Sequence, residues 1–142
     1  MKIYIASSWK NQHAVEMLTE MLRYRGYEII SFVEKAVSDE GRTEIKFDFE
    51  QWIKSKDGEE KFYYDLSGAM KSDLVVYIGP SGTDAWAEIG AAYASGISIF
   101  GLWAKSESSG LMRKMVKWFH DYKDLLKAVD SFYYDKETGS AR

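Results

Sequence analysis

The chain has no cysteine and only two histidines in 142 residues. The first absence excludes a disulfide framework and thiolate chemistry. The second argues against a histidine-based metal site, because His13 and His120 lie far apart and neither follows a metal-ligand spacing. Neither histidine lies near the end of a candidate strand, so no Ser-His-Asp arrangement is expected either. The chain also lacks a basic cluster, and its formal net charge is -3. Binders of the nucleic-acid backbone gather Lys and Arg on one surface, so nucleic acid is not an expected partner. No run is apolar enough to span a bilayer: the weakly polar stretch 85–104 is interrupted by Glu88, glycines and serines. The opening "MKIYIASSWKNQ" holds an apolar run too short for a signal peptide, so a cytoplasmic protein with no membrane partner is expected.

Hydrophobic residues make up 46% and charged residues 29%, a soluble globular balance. The length suits one domain, expected over 1–135, followed by a fraying tail at 136–142. Aromatics reach 15%, with five Trp and ten Tyr. They serve core, interface or base stacking equally well, and composition does not choose.

The pattern alternates. "KIYIA" (2–6) reads as a strand ending in Ser7-Ser8, and Ala14, Met17, Leu18, Met21 and Leu22 follow at helical spacing up to Gly26. "YEIISFV" (27–33) reads as a second strand, 38–44 as a polar loop, and 47–53 as a short helix or lid. Phe62, Leu66, Ala69 and Met70 predict a helix over 59–71. "DLVVYIG" (73–79) is a continuous apolar run, as a strand covered on both faces requires. A "PSG" turn leads into a helix, then "ISIFGLW" (97–103) forms a further buried strand and 104–110 a flexible loop. Met112, Met115, Val116 and Phe119 suggest a helix, and 122–130 another. Such alternation predicts a flavodoxin-like doubly wound α/β domain, with a mainly parallel sheet and helices on both faces. Ligands in these sheets bind beyond the carboxyl ends of the strands. Those ends are 6–9, the segment after Val33, 79–82, and Trp103 onward.

Among the residues there, Glu88 stands alone as an ionisable carboxylate or base between Ala85 and Ala104. On a helical wheel Ala85, Ile89 and Ala92 form the buried stripe, with Glu88 at its margin beside Asp84 and Ala91. It is either a solvated glutamate favoured by the helix dipole or a carboxylate held at the crevice. Asp65 is mid-helix, and either exposed or part of the same site. Asp73 reads as a cap. "PSG" before a helix N-terminus can hold an anion on backbone N–H groups, but it lacks the Lys of a P-loop. Trp9 and Trp86 stack on a base or fill the core. Ser7 and Ser8 bond a ligand or cap the turn. The acidic residues that a magnesium-binding receiver domain needs after the first strand are absent.

Together "KIYIASSWKN", "YYDLSGAMKSDLVVYIGPSG", "DAWAEIGAAYASGISIFGLW" and "SESSGLMRKMV" resemble the nucleoside 2-deoxyribosyltransferase family, whose relatives include deoxynucleoside 5'-monophosphate N-glycosidases. The resemblance covers roughly 1–130, and its most specific part is Glu88 followed by Ile-Gly-x-x-Tyr-Ala-x-Gly. It implies that Glu88 is the nucleophile at the anomeric carbon of a nucleoside or nucleotide. Asp65 would be the acid/base partner or orient the substrate, and Tyr4 would bond the carboxylate or the sugar. Ser7, Ser8, Gly79, Ser81 and Gly82 would line the sugar or phosphate side, with Trp9, Lys10 and Asp84 beside them. Ser108 and Ser109 fall in the loop from which monophosphate hydrolases of the family reach a neighbouring subunit's phosphate. A homodimer or higher homo-oligomer is implied. The chemistry needs neither metal nor cofactor.

Two departures bear on the reaction. Asp84-Ala85-Trp86-Ala87 stands where the family often has Gly-Thr or Gly-Arg-Ser, and Asp84 is off the spacing of the second aspartate of some transferases. Both favour hydrolysis over base exchange. Lys10 replaces an Arg of some phosphate-binding relatives and keeps the charge without the bidentate geometry. Two other functions fit the same residues: a nucleotide-sensing domain without turnover, and a Glu-dependent NAD glycohydrolase.

Overall fold

A computed structural model describes residues 1–38 and 48–139. The apolar runs form five parallel strands: β1 (Lys2–Ala6), β2 (Glu28–Ser31), β3 (Leu74–Ile78), β4 (Ser98–Leu102) and β5 (Lys117–Phe119). Between them lie α1 (Gln12–Tyr24), α2 (Phe32–Ser38), α3 (Phe49–Lys54), α4 (Lys56–Lys71) and α5 (Thr83–Ala94), and α6 (Tyr122–Thr138) follows β5. The sheet order β2-β1-β3-β4-β5 is that of a flavodoxin-like doubly wound fold. Its strand order reverses between β1 and β3, where such folds open a ligand crevice.

Strand alternation splits the core into two layers. Ile3, Ile5, Leu74, Val76, Ile78 and Phe100 face α1 and α6, meeting Val15, Leu18, Leu22, Leu125, Leu126 and Val129. Tyr4, Ala6, Val75, Tyr77 and Ile99 face α4 and α5, meeting Ala69, Ala85, Ile89 and Ala92. On this second face the helices contribute mostly small side chains. The volume comes from the sheet, through the fully buried rings of Tyr4 and Tyr77.

Gly68 shows how closely α4 approaches. A Cβ built there would lie 2.6 Å from Cδ2 of Tyr4. Alanine in a helix interior normally stabilises by ~1 kcal/mol over glycine, but here the tyrosine ring blocks it. Gly68→Ala is therefore expected to destabilise by ~1–3 kcal/mol, the cost of overpacking a core. Urea unfolding reads the sign directly, and a more stable variant would refute the contact.

Three expectations need correction. The second strand ends at Ser31, because Phe32 and Val33 already belong to α2. Val33 packs into the layer under α1, and Phe32 meets the edge of Trp9 at 5.3 Å. The helix expected around 112–119 is a 3-10 turn (Leu111–Met115) followed by β5, which pairs Trp118 with Gly101 and Phe119 with Leu102. Gly101 makes that possible, since a Cβ there would lie 2.5 Å from Val116 and 3.0 Å from Trp118. The last helix does not stop at 130 and leave a tail from 136. It runs to Thr138 and ends on Gly139 in a left-handed conformation (φ 69°). Its length is tied down by Asp130, which accepts from the Tyr27 hydroxyl at 2.5 Å, and by Lys136, 3.3 Å from Asp73. The loop expected at 38–44 falls outside the described residues except for Ser38, which ends α2. Among the described residues no helix is long and apolar enough to cross a membrane.

Candidate active site

α5 starts after the cis Gly79-Pro80 bond and a Gly82 cap that has no side chain to offer. Its buried residues are Ala85, Ile89 and Ala92, so Glu88 sits half-buried at the margin of that stripe. Directly opposite, the Tyr4 hydroxyl on β1 donates a hydrogen bond to Oε1 of Glu88. Asp65 on α4 is also half-buried, and lies one turn before Gly68. Gly68 brings α4 onto the Tyr4 ring, and with it Asp65. Tyr4 and Glu88 thus meet at the β1/β3 switch point, and the charge of Asp65 reaches both.

Their electrostatics are linked. Burial, then the charges of Asp65 and Asp84, push Glu88 up to about 7, against the opposing hydrogen bond from Tyr4. Burial and the charge of Asp84 push Asp65 up to about 6. Burial and the two carboxylates hold the Tyr4 phenol far above its ordinary range, so it remains a donor at any working pH. Both acids are therefore raised towards neutrality, Glu88 further than Asp65. A displacement at a sugar carbon requires one carboxylate and one carboxylic acid, and with Glu88 raised further than Asp65 the form with Glu88 ionised and Asp65 protonated is the minor singly protonated one. Asp84 is exposed, yet its charge reaches both acids despite its departure from the family spacing.

The remaining expected residues divide. Ser7 donates to the carbonyl of Ile78 at 2.7 Å, and Asn11 joins it, donating to Ser7 at 3.0 Å and to the Pro80 carbonyl at 2.7 Å. Both therefore hold the β1 end against the β3 turn. Ser8 caps the short turn at 9–11 by accepting from the Lys10 amide at 3.2 Å. Lys10 and Trp9 are exposed, with Trp9 turned onto Phe32. Gly82 faces open space at the head of α5, while Gly79 is covered by Glu107, whose Oε2 would lie 2.3 Å from an added Cβ. Ser81 donates to the Tyr77 hydroxyl at 2.9 Å. Ser108 and Ser109 are exposed at the loop after β4, where Ser108 accepts from the Gly110 amide at 3.3 Å.

Sequence reasoning missed Asn11, Gly68, Tyr77, Glu107 and Arg113. Glu107, flanked by serines and lysine, carries no sign that its side chain is only 2% exposed. A cavity of about 560 Å³ lies between α4 and the β1-β2 edge, lined by Lys2, Ile30, Tyr64, Gly68 and Lys71. Tyr4, Asp65 and Glu88 do not line it. Among the described residues no three metal-binding side chains gather.

No family model matches the sequence, and no curated protein matches it. Solved structures do. A 2-deoxyribosyltransferase from Bacillus psychrosaccharolyticus is similar at a TM-score of 0.68 and 22% identity, over 88% of this chain and 90% of that one. The chain shares that enzyme's fold. The CMP N-glycosidase of Clostridium botulinum is similar at a TM-score of 0.59 and 19% identity, over 92% of this chain and 98% of that one. A conserved protein from Enterococcus faecalis follows at 0.62 and 17%, with the same coverage.

Proposed function

We propose that this chain is a member of the nucleoside 2-deoxyribosyltransferase family that breaks the N-glycosidic bond of a (deoxy)nucleoside or its 5'-monophosphate through Glu88. The observation that carries the proposal is the hydrogen bond from Tyr4 to the half-buried Glu88 at the strand-order switch, within reach of the charge of Asp65. The shared fold of a deoxyribosyltransferase and a CMP N-glycosidase supports it.

In this mechanism a Glu88 oxygen attacks the anomeric carbon as the bond to the base nitrogen breaks. The bonding pair leaves with the base, which takes a proton from Asp65. Tyr4 keeps the attacking carboxylate aimed and shares its charge. Water then attacks the same carbon, the ester to Glu88 breaks, and the released proton returns to Asp65. The off-register Asp84 favours water over a second base as acceptor, and hence hydrolysis. Gly82 and the first amides of α5 suit a phosphate on the sugar.

The test is a panel of nucleosides, deoxynucleosides, their monophosphates and NAD, with and without an acceptor base, read by chromatography. Free base from one of the first three classes is the expected result. Ligand-induced thermal stabilisation without free base would instead indicate a sensing domain, and nicotinamide release alone an NAD glycohydrolase. For the responsive substrate, kcat/KM should peak between about pH 6 and 7, where the two acids hold one proton between them; Glu88 carries it in most molecules, and the reacting form, with Glu88 ionised and Asp65 protonated, is the minor one. A flat profile from pH 5 to 8 would remove the pair from the reaction.

A further inference from the structure

A second polar cluster lies on the opposite side of α5 from Glu88, and the reaction does not use it. Its centre is the Tyr77 hydroxyl. This donates to Oε2 of Glu107 at 2.6 Å and accepts from Ser81 at 2.9 Å and from Nε1 of Trp86 at 3.2 Å. One donor and two acceptor positions are all that a phenol has, and all are filled. Glu107 is almost wholly buried, and Arg113 bonds its other oxygen at 3.4 Å. The Arg113 guanidinium lies 4.0 Å over the Trp86 ring, and the rings of Tyr77 and Trp118 close the remaining sides at 5.0 and 6.3 Å. The turn is cleared for this cluster, because any side chain at Gly79 would strike the Glu107 carboxylate.

We propose that Tyr77 and Glu107 are positioning residues for Glu88: by fixing the Trp86 indole they set the rotation of α5 that aims Glu88 at Tyr4. Trp86 and Glu88 are two residues apart, about 200° around a helix, so a pin on one side fixes where the other points. α5 needs such a pin. Its buried stripe of Ala85, Ile89 and Ala92 has only one bulky member to resist turning. A rotation of ~20° moves a side-chain tip at ~5–6 Å radius by ~2 Å, enough to break the Tyr4 contact. Misplacement by ~1 Å in a reacting geometry costs ~100-fold in rate.

The inference rests on the proposed reaction for its activity measurement only, so it is tested in two ways. The first is titration of Glu88, followed by carbon-13 NMR of labelled glutamate and assigned with Glu88→Gln. In Tyr77→Phe, Glu88 should move from about 7 towards the ordinary carboxylate range, as it turns out of its buried seat. The second is kinetic. Tyr77→Phe should lose at least ~10-fold in kcat with KM little changed, since no group lining the substrate is removed. Glu107→Ala should act like Tyr77→Phe, while Glu107→Gln, which still offers the phenol an acceptor, should recover most of the titration and the rate. Should Tyr77→Phe fail to fold, the Glu107→Ala and Glu107→Gln pair decides. Folded variants with an unaltered Glu88 titration would overturn the inference, whatever the substrate panel returns. A shifted titration in a protein that releases no base would uphold it and count against the reaction alone.

Discussion

Glu88→Gln is expected to abolish base release, by on the order of 10⁴-fold or more, the scale of losing a covalent nucleophile. The same variant is expected to gain stability relative to the parent as pH rises. Glu88 is raised from 4.5 to about 7 on folding, mainly by burial. Folding therefore favours its protonated form. That contribution is complete below about 4.5 and is lost as pH rises through about 7. At pH 8 the parent bears the whole cost of a buried anion, ~3 kcal/mol at ~1.4 kcal/mol per tenfold change. Glutamine bears none at any pH, and whatever its amide group gains or loses in partners does not titrate. Urea unfolding at pH 5 and pH 8 should thus show the stability difference moving by ~2–3 kcal/mol in favour of the variant. A difference that stays constant with pH would mean that Glu88 is solvated, and the site would lose its centre.

Asp65→Asn should lower kcat by ~10²–10⁴, the range of a lost general acid, with a signature that distinguishes it from Glu88→Gln. An N7-methylated purine deoxynucleoside releases a neutral base and needs no proton from the enzyme. On that substrate Asp65→Asn should recover most of its rate, provided the parent accepts it, whereas Glu88→Gln should stay inactive. Removing Asp65 also removes a like charge that raises Glu88, so the Glu88 titration should move down. Equal losses on both substrates would reassign Asp65 from proton donor to a substrate-orienting or structural role.

The parts legible in the sequence were those governed by local rules. The β-rich runs, the α1 and α4 periodicities and the isolation of Glu88 depend on neighbours within a turn or two. The stripe of Ala85, Ile89 and Ala92 came out as the wheel placed it. β5 was missed because Met112, Met115, Val116 and Phe119 have helical spacing by accident, while the strand is only three residues long and borrows its place from Gly101. The Tyr77–Glu107 pair was invisible for a different reason. Its members are 30 positions apart and meet only once β3 and β4 lie side by side. Gly68 carries the opposite lesson. Within "DLSGAM" it reads as a weak point of a helix, and its reason is a ring 64 residues earlier in the chain.

The contact between Gly68 and Tyr4 also governs how this protein is able to change. Every other amino acid at 68 brings a Cβ into the ring, so the position is closed for as long as an aromatic ring occupies position 4. It opens only if position 4 gives up its ring, and the hydroxyl that holds Glu88 leaves with it. Phenylalanine is no escape in either direction, since it keeps the obstructing edge and drops the hydroxyl. A lineage selected for folding alone therefore has a two-step exit at these positions, whereas one selected for the chemistry does not. Under the proposed reaction, position 68 is held in place by chemistry in which it is not a reacting group.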